Sequence, residues 1–181
     1  AVAPARALRR GRRRRPELAE DPDAVPIVDH LFQTLQHNDN LIFANSRASV
    51  EMYADMLSRR SRSAGSRAEF LAHHGSLAKD IREHVEARLR DPSTPVTAIC
   101  TSTLEMGIDV GSVTGIAQIG APLTVSSLRQ RLGRSGRRPG HPAVLRLYVS
   151  ETRLTNTTPP PDALHGELFQ TIAMVELLLA A

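Results

Sequence analysis

The densest chemistry in the sequence is Gln130-Arg131-Leu132-Gly133-Arg134-Ser135-Gly136-Arg137-Arg138, and five Arg fall within residues 129–138. A solvated helix would use Lys, Glu and Ala more freely. Gly133 and Gly136 each weaken a helix by about 1 kcal/mol, so their expected benefit is a close backbone approach to an anion. Arg134 and Arg137 are three residues apart and share a face if the turn is helical. Two guanidinium groups on one face form a clamp for a polyphosphate, the chemistry of an arginine finger in phosphoryl transfer. The bland alternative is a solvated basic loop, which is what such runs usually are; the glycine spacing argues against it.

A second set of polar residues follows three short apolar runs. Leu41–Ala44 is followed by Asn45-Ser46-Arg47, Phe70–His73 by His74-Gly75-Ser76, and Val96–Cys100 by Thr101-Ser102-Thr103, with Gly107 and Asp109 further on. In an open parallel sheet, ligands sit beyond the carboxyl ends of the strands. Hydroxyls and helix N-terminal amides along that edge suit phosphate oxygens. Each end taken singly is also ordinary turn and cap chemistry; three in series favour a binding edge.

The elements that must carry these residues alternate between strand and helix. Ile27, Val28, Leu31, Phe32 and Leu35 mark one helix face, and Val50, Tyr53, Ala54 and Leu57 mark a helix over Arg47–Arg60. Ser76 is placed to cap a helix over Leu77–Leu89 with Leu77, Ile81, Val85 and Leu89 inward. Val96–Thr101, Gly115–Ile119 and Ala143–Val149 read as strands, and Thr124–Leu132 as a helix. This alternation predicts an α/β fold, a mostly parallel sheet with helices on both faces. Ala1–Pro26 reads as an Arg/Pro-rich extension or linker, residues 27–152 as the folded domain, and 153–181 as a linker and a helix leading into a following domain. That last helix, over Asp162–Ala181, is expected to present an uncovered apolar side.

Composition narrows the classes. The chain has 181 residues and 41% hydrophobic content, enough for one domain with a true core. No apolar run reaches the roughly 18 residues of a membrane span. One cysteine, Cys100, excludes a disulfide framework and a multi-cysteine zinc site, and it reads as a small buried hydrophobe. An intracellular, cytoplasmic protein with no membrane partner is the expectation. The formal charge of +4 is unevenly placed, because residues 1–15 hold seven Arg and no acid, leaving the remainder at −3. His73 and His74 are adjacent on a strand and point to opposite faces, a poor arrangement for metal. There is no Gly-x-x-x-x-Gly-Lys-Ser/Thr loop and no Asp-Glu pair after an apolar strand, so these residues cannot assemble a P-loop nucleotide site unaided.

In this order, the segments resemble the second RecA-like domain of superfamily 2 helicases. Leu41–Arg47 looks like motif IV, His73–Leu77 like motif IVa, Thr101–Gly111 like motif V, and Gln130–Arg137 like the Gln-x-x-Gly-Arg-x-Gly-Arg of motif VI. The double His before Gly-Ser, and Leu104-Glu105-Met106-Gly107-Ile108-Asp109-Val110, look most like the large helicase-related (Lhr-like) DNA helicases. The resemblance covers roughly residues 27–150. It implies a RecA-like, P-loop-NTPase-like fold and a division of labour in which a first RecA-like domain holds ATP and Mg²⁺.

By the same resemblance Arg137 is the finger to the γ-phosphate, with Arg134 beside it. Gln130 positions the γ-phosphate or the attacking water. Gly107 and Asp109 face the nucleotide and the domain seam. Ser46, Arg47, Gly75, Ser76, Thr101 and Ser102 touch the nucleic-acid backbone, DNA being favoured over RNA. The expected function is the C-terminal motor domain of an ATP-dependent helicase or translocase, partnered by an N-terminal RecA-like domain and hydrolysing no ATP alone. The alternative is a RecA-like module that binds nucleic acid or a partner protein without catalysis.

Overall fold

The computed structural model describes residues 21–105, 111, 113–136, 140, 142–151, 154–156, 158 and 164–180. Residues 1–20 of the Arg-rich extension, Gly107, Asp109 and Arg137 lie outside the described residues.

Five strands form one parallel sheet: β1 (Asn40–Ala44), β2 (Glu69–His73), β3 (Val96–Cys100), β4 (Gly115–Ile119) and β5 (Leu145–Tyr148). Their order is β2-β3-β1-β4-β5. The three central strands β1, β3 and β4 are buried at every position, because a parallel sheet with both faces covered takes continuous apolar runs. β1 sits in register with both neighbours, Ile42 opposite Ile99 and Ala117.

Side-chain alternation along β1 feeds two cores. On one face α1 (Val25–Leu35) and α2 (Arg47–Ser63) set Leu31, Phe32, Leu35, Val50, Tyr53 and Leu57 against Ile42, Ala44, Ile99 and Ala117. On the other, Val85 and Leu89 of α3 (Lys79–Arg90) meet Leu41, Phe43, Ala98, Cys100 and Ile116. Cys100 is fully buried, and burial pushes its thiol far up, so it is an inert packing group.

Several boundaries differ from the sequence expectation. α1 opens at Val25, with Pro26 in its first turn, where the absent N–H leaves nothing unsatisfied. α3 opens at Lys79, not Leu77, and Ser76 does not cap it. Ser76 instead accepts a hydrogen bond from Arg47 Nη1, while Leu77 N–H closes a turn onto the His74 carbonyl at 3.0 Å. Ile81 is consequently solvent-exposed, and only Val85 and Leu89 of the expected face are buried. β5 is confined to Leu145–Tyr148.

α4 (Val125–Leu132) is capped by Thr124, whose hydroxyl accepts from Ser127 N–H at 3.1 Å. α5 (Gly166–Leu179) lies beside α4 and is tied down by Gln170 Nε2 donating to the Pro122 carbonyl at 3.2 Å. Its Leu168, Phe169, Ile172, Leu177 and Leu179 are exposed.

Candidate nucleic-acid groove and arginine segment

The sheet order makes β2, β3 and β1 neighbours, so their carboxyl ends meet. There they form an open groove of about 650 Å³ lined by Asn45, Ser46, Arg47, Gly75, Ser76, Thr101 and Thr103. Five of the six residues expected at the nucleic-acid backbone are therefore brought together. The sixth, Ser102, is exposed at the start of a 3₁₀ turn (Ser102–Leu104), and Thr103 takes its place in the lining.

Ser46 combines both roles that its residue type allows. Its hydroxyl caps α2 by accepting from Ser49 N–H at 3.0 Å, and it lies on the groove wall. The 17-residue α2 thus points its N-terminal amides and positive dipole end at the groove. Arg47, exposed in the first turn, reaches across to Ser76 and links two of the three strand ends. The domain's six aromatic residues lie elsewhere: Phe32, Phe43, Phe70 and Tyr53 are buried, Tyr148 is half-buried and Phe169 is on α5. None lines the groove, so base stacking has no platform in it.

A polar chain, buried at Gln118 and Arg131, runs from the groove to the arginine segment. Asn45 Oδ1 accepts from Gln118 Nε2 at 3.2 Å, and Asn45 Nδ2 donates to the Ala121 carbonyl at 2.8 Å. Gln118, fully buried on β4, accepts from Arg131 Nη1. Arg131 is 3% exposed. Its Nε donates to Glu105 Oε1 at 2.8 Å, its Nη2 donates to the same oxygen, and its guanidinium carbon lies 4.7 Å from the centre of the Phe43 ring. Ser127 Oγ donates to that carboxylate oxygen at 2.8 Å.

Arg131 was not singled out from the sequence. The available signal was its place three residues after Leu128, on the inward stripe of α4. An arginine there needs an acid, and Glu105 lies 26 residues away.

Arg134 is half-buried, and its Nε and Nη2 donate to the Glu105 carbonyl at 3.1 and 2.6 Å. One residue thus receives Arg131 on its carboxylate and Arg134 on its backbone. Gln130 is exposed on α4. α4 ends at Leu132 and Ser135 bridges to Val113, so the described segment beyond Leu132 is not helical; the shared face expected of Arg134 and Arg137 involves a residue outside the described ones.

Gly136 then turns the chain with φ +69°. A Cβ at that position would lie 2.6 Å from Ala143 N and 2.7 Å from Ala143 Cα. This glycine thus makes a close approach to the chain itself, at Ala143. Gly136→Ala is expected to cost about 2 kcal/mol or more, read as a lowered urea midpoint.

Behind the groove, His73 and His74 do point to opposite faces. His73 Nε2 lies 3.2 Å from Glu86 Oε1 on α3, and His74 Nε2 lies 2.9 Å from Glu51 Oε1 on α2. Among the described residues no group of three or more His, Cys, Asp or Glu side chains could hold a metal ion. Nor is any helix among them long and apolar enough to cross a membrane.

A five-stranded parallel sheet of order β2-β3-β1-β4-β5 with helices on both faces defines a RecA-like α/β domain. Residues 23–139 match the helicase conserved C-terminal domain. An ATP-dependent helicase, Lhr-Core protein 2 of Thermococcus barophilus, is 36% identical over 121 residues, covering 64% of this chain and 14% of that protein. The Lhr helicase/uracil glycosylase of Escherichia coli is 30% identical over 186 residues, covering 79% of this chain and 12% of that one. The Mycobacterium smegmatis helicase Lhr, solved with ssDNA and AMP-PNP, superposes with a TM-score of 0.70 at 27% identity over 90% of this chain and 20% of its own. The C-terminal domain of the DEAD-box protein Dbp5 shares the fold, with a TM-score of 0.61 at 19% identity.

The chain belongs to the helicase conserved C-terminal domain family, as a superfamily 2 domain of the Lhr-like kind. It spans about an eighth of the length of those two Lhr relatives.

Proposed function

We propose that this domain is the C-terminal motor half of an ATP-dependent DNA helicase or translocase. In this reading it grips the nucleic-acid backbone in the strand-end groove and supplies arginine to ATP held mainly by an N-terminal RecA-like domain. The observation that carries the reading is the convergence of three separate strand ends on one groove of hydroxyls, amides and a single arginine. Hydroxyls and amides position a strand without reading bases, and with no aromatic in the lining the expected behaviour is backbone tracking with little sequence preference. DNA is favoured over RNA because the M. smegmatis relative was solved with ssDNA.

The donors present fit the rim of a triphosphate and not its cradle. Arg134 and Gln130 offer charge and an amide, but there is no phosphate-wrapping glycine loop with a lysine. ATP with Mg²⁺, when held by the partner domain, supplies the scissile phosphoanhydride bond. On this domain's side, Arg134 and Arg137 would face the γ-phosphate and Gln130 would orient the water or that phosphate. Gly107 and Asp109 would line the seam. Positive charge fixed in advance where negative charge develops is the largest single contribution such residues make. The two bound states of the motor then differ in whether the domains are closed, which gives stepwise movement along the strand.

The groove is tested by single-stranded DNA binding to the full-length protein. Arg47→Ala is expected to weaken binding several-fold for every sequence and to reduce the salt slope by about 1, the mark of one phosphate contact. Binding that is unchanged in both affinity and salt slope would remove the groove from the nucleic-acid path.

A further inference from the structure

One residue of the groove has a hydroxyl with a buried controller behind it. Thr103 Oγ1, on the groove wall, lies 2.8 Å from His73 Nδ1. The other ring nitrogen, Nε2, lies 3.2 Å from Glu86 Oε1. His73 is 1% exposed. The three side chains form a line from a carboxylate on α3, through an imidazole at the end of β2, to a hydroxyl in the 3₁₀ turn.

The protons along that line are constrained. A nitrogen facing a carboxylate must carry hydrogen, so Nε2–H donates to Glu86. In the neutral imidazole Nδ1 is then an acceptor, and the only hydrogen it can take is that of Thr103. The threonine then presents only lone pairs to the groove, which repel a phosphate oxygen. In the protonated imidazole Nδ1–H donates to Thr103 Oγ1 instead. The hydroxyl hydrogen is released and can go to the His73 carbonyl, 3.2 Å from Oγ1, or to an oxygen in the groove.

We propose that Thr103 is a phosphodiester-backbone contact whose donor direction is set by His73 and Glu86, so that gripping the backbone at this point takes up one proton. The proposal rests on the groove reading above. It makes His73 and Glu86 positioning residues, since both act through the threonine.

Other charges bear on His73. Glu86 and Arg82 both lie on α3, Arg82 opposing protonation and Glu86 favouring it. The far oxygen of Glu86 is shared with Arg90 at 4.0 Å. From β3 the neighbour is Cys100, register partner of His73, whose buried thiol stays neutral. On the opposite face Glu51 is paired with His74. Burial is the largest influence and holds the His73 imidazole below its ordinary value. In the free protein the residue is therefore neutral at physiological pH. A bound phosphate stabilises the protonated form, so binding tightens as pH falls.

The test is anisotropy of a fluorescent single-stranded oligodeoxynucleotide with the full-length protein at constant ionic strength. Affinities are compared between about pH 7.5 and about pH 5.5, the interval in which histidine titrates. Wild type is expected to gain about fivefold more affinity over this interval than Thr103→Val, since one proton taken up gives at most tenfold per pH unit. Thr103→Ser, which keeps the hydroxyl, is expected to restore the wild-type slope. Because Thr103 is only half-buried, this pair avoids the folding risk of replacing His73. Equal pH slopes in wild type and Thr103→Val, with Arg47→Ala weakening binding at every pH, overturn the proton-linked contact and leave the groove standing. If neither Arg47→Ala nor Thr103→Val alters binding at any pH, the groove reading falls and the proposal falls with it.

Discussion

Glu105→Ala is expected to lower the stability of the 181-residue chain by about 3 kcal/mol or more, read from urea denaturation followed by circular dichroism. The reason is burial. The Arg131 and Glu105 side chains are 4% and 11% exposed, and removing the carboxylate leaves the guanidinium with Gln118 and the Phe43 ring but no counter-charge among the described residues. An uncompensated charge in that position costs far more than the pair itself contributes. Arg60–Asp29 provides the control. It has a similar 2.8 Å separation, but both side chains are more than two-fifths exposed, so Asp29→Ala should cost only about 0.5 kcal/mol or less. The double variant Glu105→Leu with Arg131→Met should recover much of the loss, since replacing both buried partners by apolar groups of similar volume is often neutral. Equal, small losses for Glu105→Ala and Asp29→Ala would show that the buried pair is not the support described.

Arg137→Ala in the full-length protein is expected to abolish nucleic-acid-stimulated ATP hydrolysis, by about 10³-fold or more, while leaving DNA binding largely intact. That factor corresponds to about 4 kcal/mol of lost transition-state stabilisation. The residue lies outside the described part of the structure, and the expectation rests on the motif resemblance together with its setting. The segment leaves α4 at Leu132, turns at Gly136 and is held at Arg134 by the Glu105 carbonyl. Arg134→Ala should reduce turnover through both its charge and its grip on Glu105. Stimulated turnover that persists in Arg137→Ala would reject the finger assignment. A wild type that binds DNA but shows no stimulation would turn the balance to a non-catalytic binding module.

Much of the local structure was legible from residue pattern. Leu41–Ala44 and Val96–Cys100 are apolar runs that could only be central strands once helices alternate with them. Val50, Tyr53, Ala54 and Leu57 fixed the inward face of α2 because helix periodicity is a local property. Ser46 and Thr124, polar residues just ahead of α2 and α4, cap those helices as their residue type allows. Ser76 looked the same in sequence but is drawn off by Arg47, 29 positions away. Capping chemistry is local, whereas competition for the cap is not.

The sequence by itself therefore determined which segments are strands and helices, the start of α3 apart, that three strand ends are polar, and that an arginine-glycine segment follows α4. Only the tertiary structure decided which polar residues act together. The order β2-β3-β1 brings the three polar ends to one groove and selects Thr103 over Ser102 for its wall. It also turned Arg131 inward onto an acid 26 residues away, gave Gly136 a steric role against Ala143, and lined up Glu86, His73 and Thr103. Each of these depends on pairing between residues distant in the chain. Periodicity and motif spacing carry no information about such pairing, because its energy appears only when the sheet closes and water is excluded.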